Sequence, residues 1–478
     1  MICGPFDILE PIARGGMGAV YRARHRRDDT LAAVKVIREQ ADSETKRSRF
    51  LREVRLLARL DHGSIASVYD FGIADAETVD PDFLEPGAPW LAMELAGGTA
   101  SDECFESWRW SDLRGFADEV LGALAHAHAR EVIHRDLKPA NILVDAHADA
   151  IHIRLVDFGI AKALVDEAGS ARGDEKVHGT PSFMAPEQVL NRGSWFGPWT
   201  DIYALGCLIW YAVCGEAPFD ADDSIDIMVG QVRDEPGPFT PLIEVPTGLE
   251  DWLRRALQKH PHHRFRRAAD AAWSLQTLDE QTTIGPFTTN APLEDVTLGG
   301  DTVSDTSPTT EYRPSDPQTT VVFDQGSAAG PQGLDPGSGF FAAGDVELFA
   351  GADTPPVSDD WRRGDDFLVD LPPSESGREL LSLREPPMVG RHAERDELWA
   401  TLGQVCREEG QRAVVLRGAR GSGKSRLARW LCERSHEVGA ATPLVATHSR
   451  VFEGVDGLGP MFARYLRIQG RSWSSARE

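Results

Sequence analysis

The sequence predicts an α+β fold for the first part of the chain, an acidic linker after it, and a second, smaller α/β unit at the end. Three observations carry this reading. Strand-like runs at residues 6–12, 19–24 and 31–37 open the chain, and a helical cadence of apolar positions follows, with Phe50, Leu51, Val54, Leu57 and Ala58 spaced through residues 46–60. Between Ala272 and Trp361 the composition shifts to Asp, Glu, Thr, Gly and Pro, and Arg313 is the one basic residue. Beyond that stretch an apolar run at residues 413–416 leads into a glycine-rich turn and then a helical pattern over residues 426–434. A chain of 478 residues is long enough for two or three domains.

The first turn, Arg14, Gly15, Gly16, Met17 and Gly18, lies between two strand-like stretches. Missing side chains there let backbone N–H groups approach an anion closely. Taken alone, the cluster fits an ordinary hairpin equally well. The run Leu31, Ala32, Ala33, Val34, Lys35, Val36, Ile37 is apolar except for Lys35, as a strand covering a cleft requires. Glu53 sits in the helical segment, where by itself it would read as a solvated charge. Further on come His134, Arg135, Asp136, Leu137, Lys138, Pro139, Ala140, Asn141, then an apolar strand at residues 151–156 ending in Asp157, Phe158, Gly159, and finally Ala185, Pro186, Glu187.

In this order the motifs resemble those of a bacterial, eukaryotic-like protein Ser/Thr kinase. The resemblance implies a two-lobed protein kinase fold over residues 1–279, with a small β-rich lobe to about residue 95 and a large α-rich lobe from 96. It implies ATP with Mg²⁺ or Mn²⁺ as cofactors and protein Ser/Thr hydroxyls as acceptors. Asp136 would orient the substrate hydroxyl, Lys138 would neutralise the transferring phosphoryl, and Asn141 and Asp157 would hold the metal. Lys35 would meet the α/β-phosphates and pair with Glu53 in the active state. The nucleotide would be covered by Ile12, Ala13, Arg14, Gly15, Gly16, Met17 and Gly18. The family's first loop glycine is replaced by Ala13 here. Val20, Ala33 and Leu143 would enclose the purine, with Met93 as gatekeeper and Glu94 and Leu95 in the hinge. Lys138 and Thr180 match the Ser/Thr-specific pattern. Glu187 is expected to pair with Arg264, and Asp201 to tie the catalytic loop to the large lobe.

Arg135, beside the catalytic Asp, resembles an arginine that in relatives needs an anion on the activation loop. Residues 160–178 hold no threonine. Their one hydroxyl is Ser170, beside the acids Asp166, Glu167, Asp174 and Glu175, so phosphorylation of Ser170 and a resident acid both stay open. Residues 280–384 read as a disordered linker, and the acidic stretch inside and just before it supplies more than half of the net charge of −25. Its threonine pairs, Thr282 with Thr283, Thr288 with Thr289, Thr309 with Thr310 and Thr319 with Thr320, read either as soluble filler or as autophosphorylation sites for phosphothreonine-reading domains.

Residues 385–478 resemble the start of an AAA/STAND-type P-loop ATPase. Pro387, Met388, Val389, Gly390 and Arg391 resemble its entry motif, and Gly418, Ala419, Arg420, Gly421, Ser422, Gly423, Lys424, Ser425 match a Walker A loop. Gly418, Gly423, Lys424 and Ser425 are therefore a second nucleotide site by resemblance. No apolar strand ending in a Walker B acid follows, so this unit is expected to be incomplete and the chain a truncated product. Cys3, Cys104, Cys207, Cys214, Cys406 and Cys432 show no C-x-x-C spacing, and no apolar run approaches the ~20 residues a spanning helix needs. These features and the acidity predict a cytoplasmic protein with reduced thiols and neither nucleic-acid nor membrane partners, leaving room for a kinase-domain dimer. The alternative function is a regulatory ATP-binding scaffold whose kinase fold turns over little and whose P-loop unit does the work.

Overall fold

The computed structural model describes residues 2–15, 18–37, 44–74, 87–145, 151–159, 180–278, 282–285, 355–362, 388, 390–408, 411–448 and 457–465. Strands β1 (Ile2–Cys3), β2 (Phe6–Gly15), β3 (Gly18–His25) and β4 (Leu31–Ile37) precede helix α1 (Glu44–Leu57), and β5 (Val68–Ile73) and β6 (Pro89–Glu94) follow it. The six strands form one antiparallel sheet in the order β1-β2-β3-β4-β6-β5. Alternation along β4 divides its side chains between two faces. Ala33 and Ile37 join the main core with Phe50, Val54 and Leu57 of α1, whereas Ala32, Val34 and Val36 pack with Phe6, Tyr21 and Trp90 on the other side. Lys35 shares the face of Ala33 and Ile37, so the one charge of an apolar strand is aimed toward α1 and the cleft.

The second lobe is helical. It contains α2 (Asp102–Phe105), α3 (Trp110–Ala129), α4 (Pro186–Val189), α5 (Pro198–Cys214), α6 (Ser224–Arg233), α7 (Leu249–Ala256) and α8 (Ala268–Gln276). A small sheet, β7 (Thr99–Ala100), β8 (Ile142–Asp145) and β9 (His152–Leu155), presents the catalytic segments, and β10 (Val245–Pro246) pairs with β11 (Thr283–Ile284). Helix α5 is apolar around most of its circumference and is buried accordingly. Pro198 opens it, and Gly215 closes it at φ 76°, donating its N–H to Tyr211 O. No helix among the described residues is long and apolar enough to cross a membrane, and none of the six cysteines is in a disulfide.

The C-terminal region departs from expectation. Its described residues form helices α9 (His392–Glu408), α10 (Lys424–Glu437) and α11 (Leu458–Tyr465) and no strand. The segment expected as a strand before the glycine-rich turn is irregular, with Val415 71% exposed. A parallel strand is stable only between neighbours that cover both faces, and none pairs with it among the described residues. An α/β ATPase unit is thus not shown. Two described segments of the stretch expected as linker are packed against the fold. Thr283 and Ile284 pair with β10, and Trp361 is buried against α9 and α10, its indole donating to Asp396 at 2.7 Å and the Arg395 guanidinium lying 3.9 Å from its ring. The other threonine pairs of that stretch lie outside the described residues.

Candidate active site

The catalytic loop takes its shape from one buried carboxylate. Asp201, in the first turn of α5, accepts the backbone N–H groups of His134 at 2.8 Å and Arg135 at 2.9 Å, and meets His128 Nε2 at 2.8 Å. Burial alone would raise its pKa, but the His128 bond and the backbone donors hold the carboxyl below the usual range. Arg135 and Asp157 both adopt left-handed backbone, at φ 64° and 62°. For non-glycine residues this costs on the order of 1–3 kcal/mol each, so surrounding bonds must impose it. Gln188 contributes as well, donating to Arg135 O at 2.7 Å while accepting from Ala185 N at 3.0 Å. Burial pushes His134 down. A neutral ring with hydrogen on Nε2 serves both its bonds, donating to Val156 O at 3.1 Å and accepting Asp136 N at 3.3 Å.

Within this frame the predicted side chains gather at one cleft. Asn141 closes a 3-10 turn begun by Pro139 and donates through Nδ2 to Asp136 O at 2.7 Å and to Asp136 Oδ2 at 3.0 Å. Lys138 Nζ lies 3.0 Å from the same Asp136 oxygen. Lys35 reaches across from the small lobe and bonds Asp157 Oδ1. Carboxylate and amide oxygens, as on Asp157 and Asn141, are hard donors of the kind a divalent cation takes. Thr180 lines a depression with Arg135, Asp136, Lys138 and Phe183. Phe158 packs on the His134 ring, with centroids 4.4 Å apart.

Glu53 is on α1 as predicted, but no hydrogen bond or ion pair joins it to Lys35; the lysine is engaged by Asp157. Met93 lines a cavity with Leu57, Val68, Leu91, Asp157 and Phe158. Glu94 donates its N–H to Ser67 O and binds Arg154 through its carboxylate at 3.2 Å, and β6 ends there, so the backbone of Leu95 and Ala96 lies outside the ladder. Ala33 is buried, while Val20 on β3 and Leu143 on β8 are half-buried. Ile12, Ala13, Arg14 and Gly15 are exposed at the end of β2. Gly16 and Met17 lie outside the described residues, as does the whole of residues 160–179 with Ser170. Gly18 is needed for close approach, since a Cβ there would sit 2.0 Å from Val36 O. In the second glycine-rich turn, Lys424 Nζ donates to Gly418 O at 2.9 Å and Ala419 O at 2.7 Å, with Gly423 at φ 85° before α10 and Ser425 within its first turn.

Sequence reasoning missed His128, Gln188 and Gln231. Gln231 is buried and donates to Pro181 O and Ser182 O while accepting from Tyr203 OH. Nothing in its local pattern distinguishes it from a surface glutamine of α6, because its partners are distant in sequence.

Residues 6–273 match the family model described as the protein kinase domain. The chain belongs to this family. It is 34% identical over 280 residues to serine/threonine-protein kinase pkn3 of Myxococcus xanthus, a match covering 56% of this chain and 49% of that protein. PknA of Mycobacterium tuberculosis is 33% identical over 269 residues (55% of this chain, 59% of PknA), and PknB of the same organism 34% over 272 (55% and 41%). The chain therefore spans about half the length of the relatives it matches. A crystal structure of the M. tuberculosis PknI kinase domain matches 58% of this chain and 97% of its own, at 24% identity and a TM-score of 0.41.

Proposed function

We propose that this chain is a Ser/Thr protein kinase, transferring the γ-phosphoryl group of ATP to serine and threonine hydroxyls of proteins, its own included. The observation that carries the reading is the convergence of Lys35, Asp136, Lys138, Asn141 and Asp157 on one cleft from two lobes. In the reaction the acceptor oxygen bonds to the γ-phosphorus as the bond to the β,γ-bridging oxygen breaks, and the hydroxyl proton passes to Asp136. Asp136 is held for this by Asn141, which fixes its carboxylate through the amide N–H. Lys138, 3.0 Å from that carboxylate, is placed to neutralise charge on the transferring group. Lys35 is a point cation suited to the α- and β-phosphates. Asn141 and Asp157 would hold Mg²⁺, or Mn²⁺ in its place, and the metal would supply charge neutralisation across the phosphates.

The names of the relatives favour Ser/Thr acceptors, as does Lys138. The threonine-rich stretch after residue 286 is a candidate autophosphorylation target and docking site for phosphothreonine readers. Gly418, Gly423, Lys424 and Ser425 remain a candidate second nucleotide site in an AAA/STAND-like unit, and a cytoplasmic location and kinase-domain dimerisation belong to the same reading. The test is incubation with γ-labelled ATP and Mg²⁺ beside an Asp157→Asn version, followed by mass-spectrometric mapping. Label on serine or threonine of the normal chain alone is expected. Equal label on both proteins, or none on a folded chain that binds nucleotide, would overturn the reading.

A further inference from the structure

Helix α10 begins at one glycine-rich turn and ends on the kinase large lobe. Its last turns bring Glu433 Oε1 to 2.8 Å from Arg59 Nη2, and Glu437 to 3.2 Å from His126 Nδ1 and 3.6 Å from Arg130. The ring of His126 has its other nitrogen occupied, since Nε2 accepts the Asp61 N–H at 3.1 Å. A neutral imidazole with hydrogen on Nδ1 satisfies both bonds, so Glu437 is gripped by a side chain that is itself fixed to the segment following α1. Arg434, buried on the same turn, donates to Trp361 O at 2.9 Å and ties in the anchored end of the preceding stretch.

Shape agrees with charge. Gly439, at φ 76°, ends the helix where a Cβ would lie 2.4 Å from Pro355 and 3.2 Å from Ala269 of α8, so the chain seats flush against the lobe only with glycine there. Glu437 stands at a helix C-terminus, where the backbone dipole disfavours an acid. The contacts on α3 compensate for that placement: burial would raise its carboxyl, yet the His126 bond and the charges of Arg130 and Arg434 hold it well below the usual range. Arg59 is the link to the active site. It lies two residues past the end of α1, the helix that carries Glu53, and Glu53 stands unbonded to Lys35 while Arg59 is engaged.

We propose that α10 is a regulatory arm acting in cis, latched through Glu433 and Glu437 onto Arg59, His126 and Arg130, and that the latch restrains α1 and so keeps Glu53 from Lys35. The consequence for catalysis rests on the kinase reading above; the docking and the restraint do not. Partial burial of Glu437 makes the surface a specific seat for this helix and not a generic basic patch.

The test uses the full chain. Glu433→Lys/Glu437→Lys is compared with the normal protein and with a charge swap that adds Arg59→Glu and Arg130→Glu. Hydrogen exchange is read by mass spectrometry over α10 and α1. In the reversed variant, exchange is expected to quicken in both helices by roughly 10-fold, and the swap to restore protection in both. Phosphate transfer to a serine-containing peptide should rise by roughly 5-fold, within ordinary inter-site coupling. Unchanged exchange in α10 overturns the docking, and faster exchange confined to α10 overturns the restraint. Absence of phosphate transfer in every protein would count against the kinase reading alone, because both exchange measurements are independent of it. An unfolded reversed variant is recognised by loss of protection in α5, and Glu437→Gln then takes its place with the same two readings.

Discussion

Arg264 places its two terminal nitrogens on the two carboxylate oxygens of Glu187, at 2.9 and 3.0 Å, and neither side chain touches solvent. Three further acceptors, Gln258 O, Lys259 O and Trp199 O, complete the guanidinium, and Thr200 donates to Glu187. The pair thereby fastens the segment after the catalytic cleft to the end of the large lobe. A buried pair of this kind is expensive to break from one side, since the remaining charge has no water.

Arg264→Ala should therefore lower unfolding free energy by about 3–5 kcal/mol, measured by urea titration. The double change Glu187→Met/Arg264→Leu should cost less than either single change. A double variant as unstable as Arg264→Ala would show that packing, and not stranded charge, dominates the site.

Asp201→Asn should reduce kcat by roughly 100-fold with little change in the KM for ATP, because the left-handed Arg135 and the position of Asp136 depend on that carboxylate, whereas the nucleotide contacts do not. Steady-state kinetics with varied ATP separates the two. A rise in KM with kcat intact would place Asp201 in nucleotide binding.

The two glycines flanking the first turn should respond differently. Gly18→Ala meets the Val36 carbonyl and should cost about 1–3 kcal/mol, seen as a lowered melting temperature. Gly15, whose added Cβ would touch nothing within 4 Å, should tolerate alanine within about 0.5 kcal/mol and show its effect in the KM for ATP.

Acid should loosen the lobe at the α10 contact. Burial pushes His62 down to about 4, and pushes His436 down to about 4 near His128 and Arg267, with Glu437 opposing in both cases. His62 Nδ1 also accepts the Ser64 N–H at 3.1 Å, which requires that nitrogen unprotonated. The unfolded chain takes up these protons near pH 6.5 and the folded chain near 4. Stability is thus full above pH 6.5 and falls as the pH drops toward 4, by at most about 3 kcal/mol per ring. Urea midpoints between pH 7.5 and 4.5 measure the slope, and His436→Asn should remove about half of it.

How much was legible beforehand follows from where each constraint resides. The small-lobe strands, α1 and the segments bearing Asp136, Asn141 and Asp157 were readable, because a run such as residues 31–37 states its two faces locally and the motifs fall in a fixed order. The pairing of Glu187 with Arg264 and the role of Asp201 were reached through resemblance, not local pattern. The Glu53 contact was not met, since the sequence states which partners Lys35 can have but not which one it holds. The strand expected at residues 413–416 failed for a related reason: an apolar run becomes a strand only if neighbours exist to pair with it. Trp361 was read as the edge of a linker. Its burial depends on Arg395, Asp396 and Trp430, which no window around residue 361 contains.

The anchoring of Trp361 at one end and of Thr283 and Ile284 at the other has a biochemical corollary. The described residues on either side of positions 286–354 thus belong to the same folded body. A single proteolytic cut between residues 286 and 354 would leave two polypeptides still held together by the α10 seat, so they would migrate apart under denaturing conditions and as one species under native ones.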